Sequence, residues 1–336
     1  MDNISKIFLE REKLTLSKYA FLTEKTRGRD HEYIPCSNRT EFQRDRDRII
    51  HSKSFRRLMH KTQVFLLPID EHYRNRMTHT LEVTQIARII ARALRLNEDL
   101  AEASALGHDL GHTPFGHAGE EVMRKCYDPE FSHSDQSLRV VSQLENNGVG
   151  LNLTYEVRDA IYCHNGERMA CTLEGVIVKF ADRIAYINHD IDDAIRGGIL
   201  SPYDIPRDIT RVLGSGHSER INRMVSSVIY ASENVNSIQM EPYVWDATCK
   251  LRSFLFDTVY TNPLAKGEEK KAKTMLEGLF DYFMRHPEEM PPFYIAIAEM
   301  EGLKRAVCDY ISGMTDRYAI DLYSDLFIPK VWRGRA

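Results

Sequence analysis

Apolar side chains recur along this chain at steps of three and four, the spacing of one helix face rather than the alternation of a strand. The pattern predicts a helix capped by Thr78, in which Val83, Ile86, Ile90 and Leu94 return on one side. Asn97 caps the next, with Glu98 and Asp99 in a first turn that favours acids; it runs through Leu100, Ala103 and Leu106 to about Gly111. A third begins after Pro114, over about Gly116 to Lys125. Leu138 to Glu145 stops at Asn146-Asn147-Gly148, and Tyr155 to His164 stops at Asn165-Gly166. Val176 to Ile191 is strongly amphipathic, and hairpin turn chemistry is absent throughout. The expected fold class is therefore all-α. A Gly/Ser break from Leu213 to Ser218 predicts a soft boundary. Residues 1–213 form the first region, with its core at about 46–200, and residues 214–336 a helical region packed on it.

Composition narrows the classes. With 336 residues, 43% apolar and 28% charged, the chain has the makings of a sizeable core and none of the signs of disorder. A formal net charge of −4 argues against a protein dominated by nucleic-acid binding. One basic stretch stands out: Arg27, Arg29, Arg39, Arg44, Arg46, Arg48, Lys53, Arg56 and Arg57. It reads equally well as a solvated charged face or as a site for polyanionic phosphates. The six cysteines form no CxxC pair, which argues against a zinc knuckle and for reduced thiols in the cytoplasm. No apolar run reaches the length of a bilayer span, so no membrane partner is expected.

The chemistry is concentrated in Gly107-His108-Asp109-Leu110-Gly111-His112-Thr113-Pro114-Phe115-Gly116-His117-Ala118-Gly119-Glu120. Three histidines and two carboxylates so close together pack poorly unless they have partners. Adjacent His108 and Asp109 at a helix end would both turn towards one divalent cation, and an imidazole with a carboxylate suits Mn, Fe, Mg or Ni better than a structural zinc site. His79 and Asp182 would close the sphere while leaving positions open for water and substrate. His117 and Glu120 lie three apart at a helix start and share a face, as an acid–base relay requires. Asp182 also belongs to a polar helix face with Lys179, Arg183, Tyr186 and Asp190, opposite Ile177, Phe180, Ala181, Ile184 and Ile191. That face is expected to line a cavity, offering Arg183 to phosphate and Tyr186 and Asp190 to phosphate and sugar.

The order His79…His108-Asp109…Asp182 resembles the HD phosphohydrolase superfamily, in which these four residues hold the catalytic metal. Flanking stretches are similar to one branch, the bacterial dGTP triphosphohydrolase (dGTPase) family: Arg46-Asp47-Arg48-Ile49-Ile50-His51-Ser52-Lys53-Ser54-Phe55-Arg56-Arg57-Leu58, then Lys61-Thr62-Gln63-Val64, and Gly313-Met314-Thr315-Asp316-Arg317-Tyr318-Ala319 near the end. The likeness covers about Arg27 to Leu326. It implies an HD-type helical fold with additional C-terminal helices and one divalent metal per chain, Mn or Mg first, with Fe or Ni as alternatives. It places His117 and Glu120 beside the α-phosphate, with His112 and His133 near the phosphates. By likeness to a vertebrate dNTP triphosphohydrolase with an HD domain, Gln63 and Asp190 would meet the sugar 3′-hydroxyl and Arg76 a phosphate. Arg183 stands where that enzyme has lysine, which keeps the charge and changes the fork.

The implied reaction is attack of water on the α-phosphorus of a dNTP, releasing a deoxynucleoside and intact triphosphate. The division of roles between His117 and Glu120, and the base preference, stay open. A homo-oligomer, a dNTP effector and weak single-stranded nucleic-acid binding belong to the same implication. Two rivals stand beside it. Other HD enzymes act on nucleoside monophosphates, cyclic dinucleotides or ppGpp, and would have no need of Gln63, Tyr186 and Asp190 as a sugar clamp. A nucleotide-sensing or single-strand-binding protein would depend on the basic stretch and have no use for a relay.

Overall fold

The computed structural model describes residues 4–66 and 72–330, and only the backbone of residues 263–266. Among the described residues every regular element is helical, apart from an isolated antiparallel bridge between Thr62 and Asn75. No helix there is long and apolar enough to cross a membrane, and the six cysteines are free thiols.

The N-terminal helices are α1 (Ile4–Thr15), α2 (Glu41–Ile50) and α3 (Lys53–Arg57). The centre is built from α4 (Arg76–Ala93), α5 (Glu98–Gly107) and the 24-residue α9 (Leu173–Arg196). Their apolar stripes meet in one core containing Val83, Ile86, Ile90, Ala101, Ala105, Ile177, Ala181, Ile184 and Ile191. The same core runs on into α10 (Arg207–Leu213), α11 (His217–Ser232) and α12 (Pro242–Leu255), on the far side of the Gly/Ser break. A second core lies under α6 (His117–Cys126), where Phe115, Val122 and Met123 meet α13 (Pro263–Arg285), α14 (Pro292–Glu301), α15 (Leu303–Ser312) and α16 (Asp316–Phe327). Between them α7 (His133–Arg139) and α8 (Tyr155–Cys163) close the site from one side.

Several boundaries differ from the periodicity. The cap of α4 is Asn75, not Thr78: the Asn75 side chain accepts from Thr78 N, and Thr78 Oγ1 accepts from Asn75 N, a reciprocal pair that starts the helix three residues earlier. Helix α5 ends at Gly107, so His108 to Gly111 are a turn rather than a last helical turn. The expected helix from Leu138 to Glu145 is the end of α7 followed by a wide turn over Val140–Leu144 and a tight one over Glu145–Gly148, where Asn146 and Asn147 take positive φ.

The basic stretch is largely consumed by pairing. Arg29 reaches Glu41 and Asp45, Arg39 and Arg46 share Asp47, and Arg48 donates to the Leu151 and Asn152 carbonyls. These side chains knit α2 to the loop before α8.

At Gly111 the turn leaving α5 touches α7: a Cβ there would lie 2.1 Å from Ser137 N and 2.3 Å from Gln136 C, both backbone atoms that cannot swing aside. Gly111→Ala is therefore expected to cost about 3 kcal/mol or more, read as a lower denaturation midpoint in urea. An unchanged midpoint would show that the turn and α7 separate freely.

Candidate active site

Three elements deliver the predicted ligands to one point. His79 sits on the buried face of α4, His108 and Asp109 follow the end of α5, and Asp182 projects from α9. Ligand atoms of His79, His108 and Asp109 all lie within 4.8 Å of one another, and all three residues are buried. Asp182 Oδ1 is 3.1 Å from His79 Nε2 and 3.9 Å from His108 Nε2, so the fourth residue joins the same cluster. His108 Nδ1 is 2.7 Å from Ala105 O and must donate to it, which leaves Nε2 as a bare acceptor. That nitrogen is buried and has no hydrogen-bond partner. A lone pair held in the interior, with the ring fixed by the Ala105 carbonyl, is what a divalent ion needs from an imidazole, and the donor set fits one.

Arg76 completes the cluster electrically. Its Nη1 lies 2.5 Å from Asp109 Oδ2, and its Nε donates to Thr62 O at 3.1 Å. Burial penalises the Asp109 charge, but Arg76 and then the surrounding histidines outweigh that and hold its pKa well below the ordinary value. Asp182 behaves alike: burial is overcome by the His79 contact, and the carboxyl is lowered to about 2.

Beside this cluster a line of imidazoles leads outward. His112 and His133 stack with centroids 4.5 Å apart and planes at 15°. His164, which the sequence reading left out, donates from Nδ1 to Ile161 O at 2.7 Å and presents its Nε2 to His133 Nε2 at 3.2 Å. Only one of those two nitrogens can carry a proton usefully, and burial holds His164 down to about 3. His133 therefore donates from Nε2. Its Nδ1 faces Glu120 Oε1 at 3.3 Å, an acceptor, so it carries a proton there as well. The partners thus assign His133 as an imidazolium; burial opposes that charge, and Glu120 outweighs it and raises the pKa above the ordinary value. His112 is pressed the other way, by burial and then by Arg76 and His133, and is neutral.

Glu120 also lies 3.6 Å from His117 Nδ1 and accepts from Arg124 at 2.8 Å. Burial is overcome by its contacts to His117 and His133, and the carboxylate is held far below its usual range. A carboxylate so occupied orients; it does not take protons near neutrality. His117 differs from the rest of the group, its side chain being 83% exposed at the start of α6.

The two residues expected to form a sugar clamp each keep one acceptor without a donor. Gln63 Oε1 and Asp190 Oδ1 are both buried and without a partner. Asp190 Oδ2 accepts from Tyr260, a residue outside every motif, and Tyr186 lies on the same helix one turn earlier, against the central core. Arg183, expected to meet phosphate, lies with its guanidinium 4.7 Å over the Trp245 ring. His189, also unforeseen, stacks on His217 and lies 3.0 Å from Glu82, and burial first lowers it to about 2. A cavity of about 660 Å³ between α13 and α16 shares only the Phe115 wall with this region and contains none of the predicted residues.

Burial raises the Asp190 carboxyl to about 7, against the lowering effect of the Tyr260 hydrogen bond. A carboxyl with a folded pKa above its unfolded value of about 4 binds its proton more tightly when native, so it lowers stability as pH rises from about 4 to about 7. Asp190→Asn keeps an acceptor for Tyr260 and carries no charge. Its melting temperature should exceed that of the parent chain at pH 8, with the gap closing towards pH 4. A gap of equal size at both ends would remove the buried charge as its cause.

Residues 76–187 match the HD domain and residues 238–325 the phosphohydrolase-associated domain. A deoxyguanosinetriphosphate triphosphohydrolase-like protein of Caldanaerobacter subterraneus subsp. tengcongensis is 55% identical over 329 residues, covering 98% of this chain and 97% of its own. One of the same description from Clostridium perfringens is 47% identical over 328 residues, covering 95% and 96%. Among solved structures, a phosphohydrolase from Bacteroides thetaiotaomicron shares the fold with a TM-score of 0.53 at 17% identity, over 83% of this chain and 67% of that one. As its motifs implied, the chain belongs to the HD-domain family of deoxyguanosinetriphosphate triphosphohydrolase-like proteins and is a phosphohydrolase.

Proposed function

We propose that the chain hydrolyses deoxynucleoside triphosphates, dGTP alone or several dNTPs, to the deoxynucleoside and inorganic triphosphate. The carrying observation is the convergence of His79, His108, Asp109 and Asp182; the buried acceptors of Gln63 and Asp190, which have no donor, support it. The names of the relatives support the substrate class. His79, His108, Asp109 and Asp182 would hold one divalent ion, Mn²⁺ or Mg²⁺ by preference and Fe²⁺ or Ni²⁺ by chemistry equally admissible. Such an ion supplies Lewis-acid polarisation of a phosphate oxygen.

The protein's own groups do the rest. Arg76, the His133 imidazolium and neutral His112 bring charge and donors to the triphosphate. Asp190 accepts the proton of the sugar 3′-hydroxyl while the Gln63 amide donates to the same oxygen from its NH₂, and the nearby Tyr186 ring leaves a ribose 2′-hydroxyl without a partner. Water adds to the α-phosphorus as the bond to the sugar O5′ breaks. The oxygen of the water stays on the triphosphate, and the leaving alkoxide takes a proton. His117, exposed and oriented by Glu120, supplies that proton and recovers one from solvent. Self-association and gating by a second dNTP belong to the same reading.

The ligand set is tested by elemental analysis. The purified chain should carry about one divalent ion, and His108→Ala or Asp182→Ala should lose it while circular dichroism stays helical. Full retention in both variants would sink the set.

The reaction is tested by its products. With dGTP, chromatography should show deoxyguanosine and triphosphate in equal amounts, and GTP should turn over more slowly by a factor of roughly 10–100, the worth of one unpaired buried polar group. Primary release of dGMP with pyrophosphate, or of dGDP with orthophosphate, would refute cleavage of the bond between the α-phosphorus and the sugar O5′, whatever the metal content.

A further inference from the structure

The C-terminal stretch Gly313-Met314-Thr315-Asp316 has no place in the metal cluster, the imidazole line or the clamp, yet its aspartate reaches the catalytic segment. Asp316 is 2% exposed, at the start of α16. Its Oδ1 accepts from Phe115 N at 2.9 Å. Its Oδ2 accepts from both Thr62 N, at 2.8 Å, and Thr62 Oγ1, at 2.5 Å. One carboxylate thus ties the backbone just before Gln63 to the backbone just before His117.

The turn it holds is an awkward one. Phe115 has φ +59° and Gly116 φ +56°, two consecutive residues in the left-handed region, the first with a full side chain. Gly116 answers a local need as well, since a Cβ there would lie 3.3 Å from Arg76 Nη2. The other end of the same turn is held too. Lys61 Nζ, buried, donates to His112 O and to Ser312 O, the latter at 2.9 Å. Arg76 N donates to Lys61 O at 3.1 Å, and Arg76 Nε to Thr62 O. Residues 61–63 are therefore a short strap between the metal-side pair Arg76–Asp109 and the turn carrying His112 and His117, and Asp316 fastens strap to turn.

We propose that Asp316 is a positioning residue: it acts through Phe115 N and Thr62 to set His117 and Gln63 at a fixed separation, so that proton donor and sugar clamp address one substrate. The proposal rests on the dNTP reading for its kinetic test and stands apart from it for its structural one.

Asn at this position has one acceptor and one NH₂ where the carboxylate has two acceptors. Whichever way the amide turns, its NH₂ meets a backbone N–H, at Phe115 or at Thr62, and one tie is lost. Asp316→Asn should keep its metal, its helicity and its KM within about threefold, while kcat with dGTP falls by roughly 10²-fold, the effect of a misplacement of about 1 Å. Amide hydrogen exchange should quicken in peptides covering 61–64 and 112–118 and stay unchanged elsewhere. Thr62→Val, which removes one of the three donors, should show the same local signature at smaller amplitude, and it serves alone if the asparagine variant does not accumulate. A kcat within threefold of the parent, or exchange that rises evenly along the whole chain, would overturn the proposal. If the parent chain itself leaves dNTPs untouched while the exchange pattern appears as described, the substrate reading falls and the tie between strap and turn remains.

Discussion

A buried arginine on a buried aspartate is the interaction on which this site depends. Arg76 and Asp109 are each almost fully enclosed, and removing either would strand a charge in the interior at a cost of about 3–5 kcal/mol. The pair also solves a crowding problem. Four acidic or basic groups of the cluster and the stacked histidines beyond it lie in one low-dielectric space, where unbalanced charge is expensive. Arg76 neutralises one carboxylate and presses His112 towards its neutral form, while Glu120 neutralises His133. The alternation of sign from Arg76 to Glu120 lets so many ionisable groups share one interior.

The helical fold and the convergence of His79, His108 and Asp109 are legible in the sequence because each is written locally. Apolar residues at helical spacing fix α4, α5 and α9, and the His-Asp dipeptide falls where α5 ends, so both side chains turn to the same side. The α9 stripe puts Asp182 and Asp190 on one face; Asp182 meets His79, and Asp190 is buried against Tyr260. Arg183, one residue on, turns instead onto Trp245, because the tryptophan of a helix some sixty residues away offers its ring there. Long-range partners of that kind leave no local trace. His164 and Tyr260 join the neighbourhood only through tertiary contact, to His133 and Asp190; His164 closes a legible helix, but nothing in that pattern marks it as a partner of His133. A β-hydroxyl before an apolar run makes Thr78 read as the cap; Asn75 wins because it exchanges two hydrogen bonds with Thr78 itself.

The arginine-rich stretch shows how charge density misleads. In sequence it reads as readily as a phosphate-binding surface as it does a solvated one. Folded, Arg29 is fully enclosed between Glu41 and Asp45, and Arg48 caps backbone carbonyls of the segment before α8. These arginines brace the tertiary structure, and the carboxylates that answer Arg29, Arg39 and Arg46 are interleaved in α2.

The tie from Thr62 to Asp316 joins residues 254 positions apart. A ribosome adding about 5–20 residues each second therefore exposes the strap roughly 10–50 s before its fastening exists. During that interval α4 and α5 can already pack and present His79, His108 and Asp109. The nascent chain thus gathers His79, His108 and Asp109 well before the turn ahead of His117 is fastened, and synthesis itself leaves that part of the site unfinished until α16 has been made.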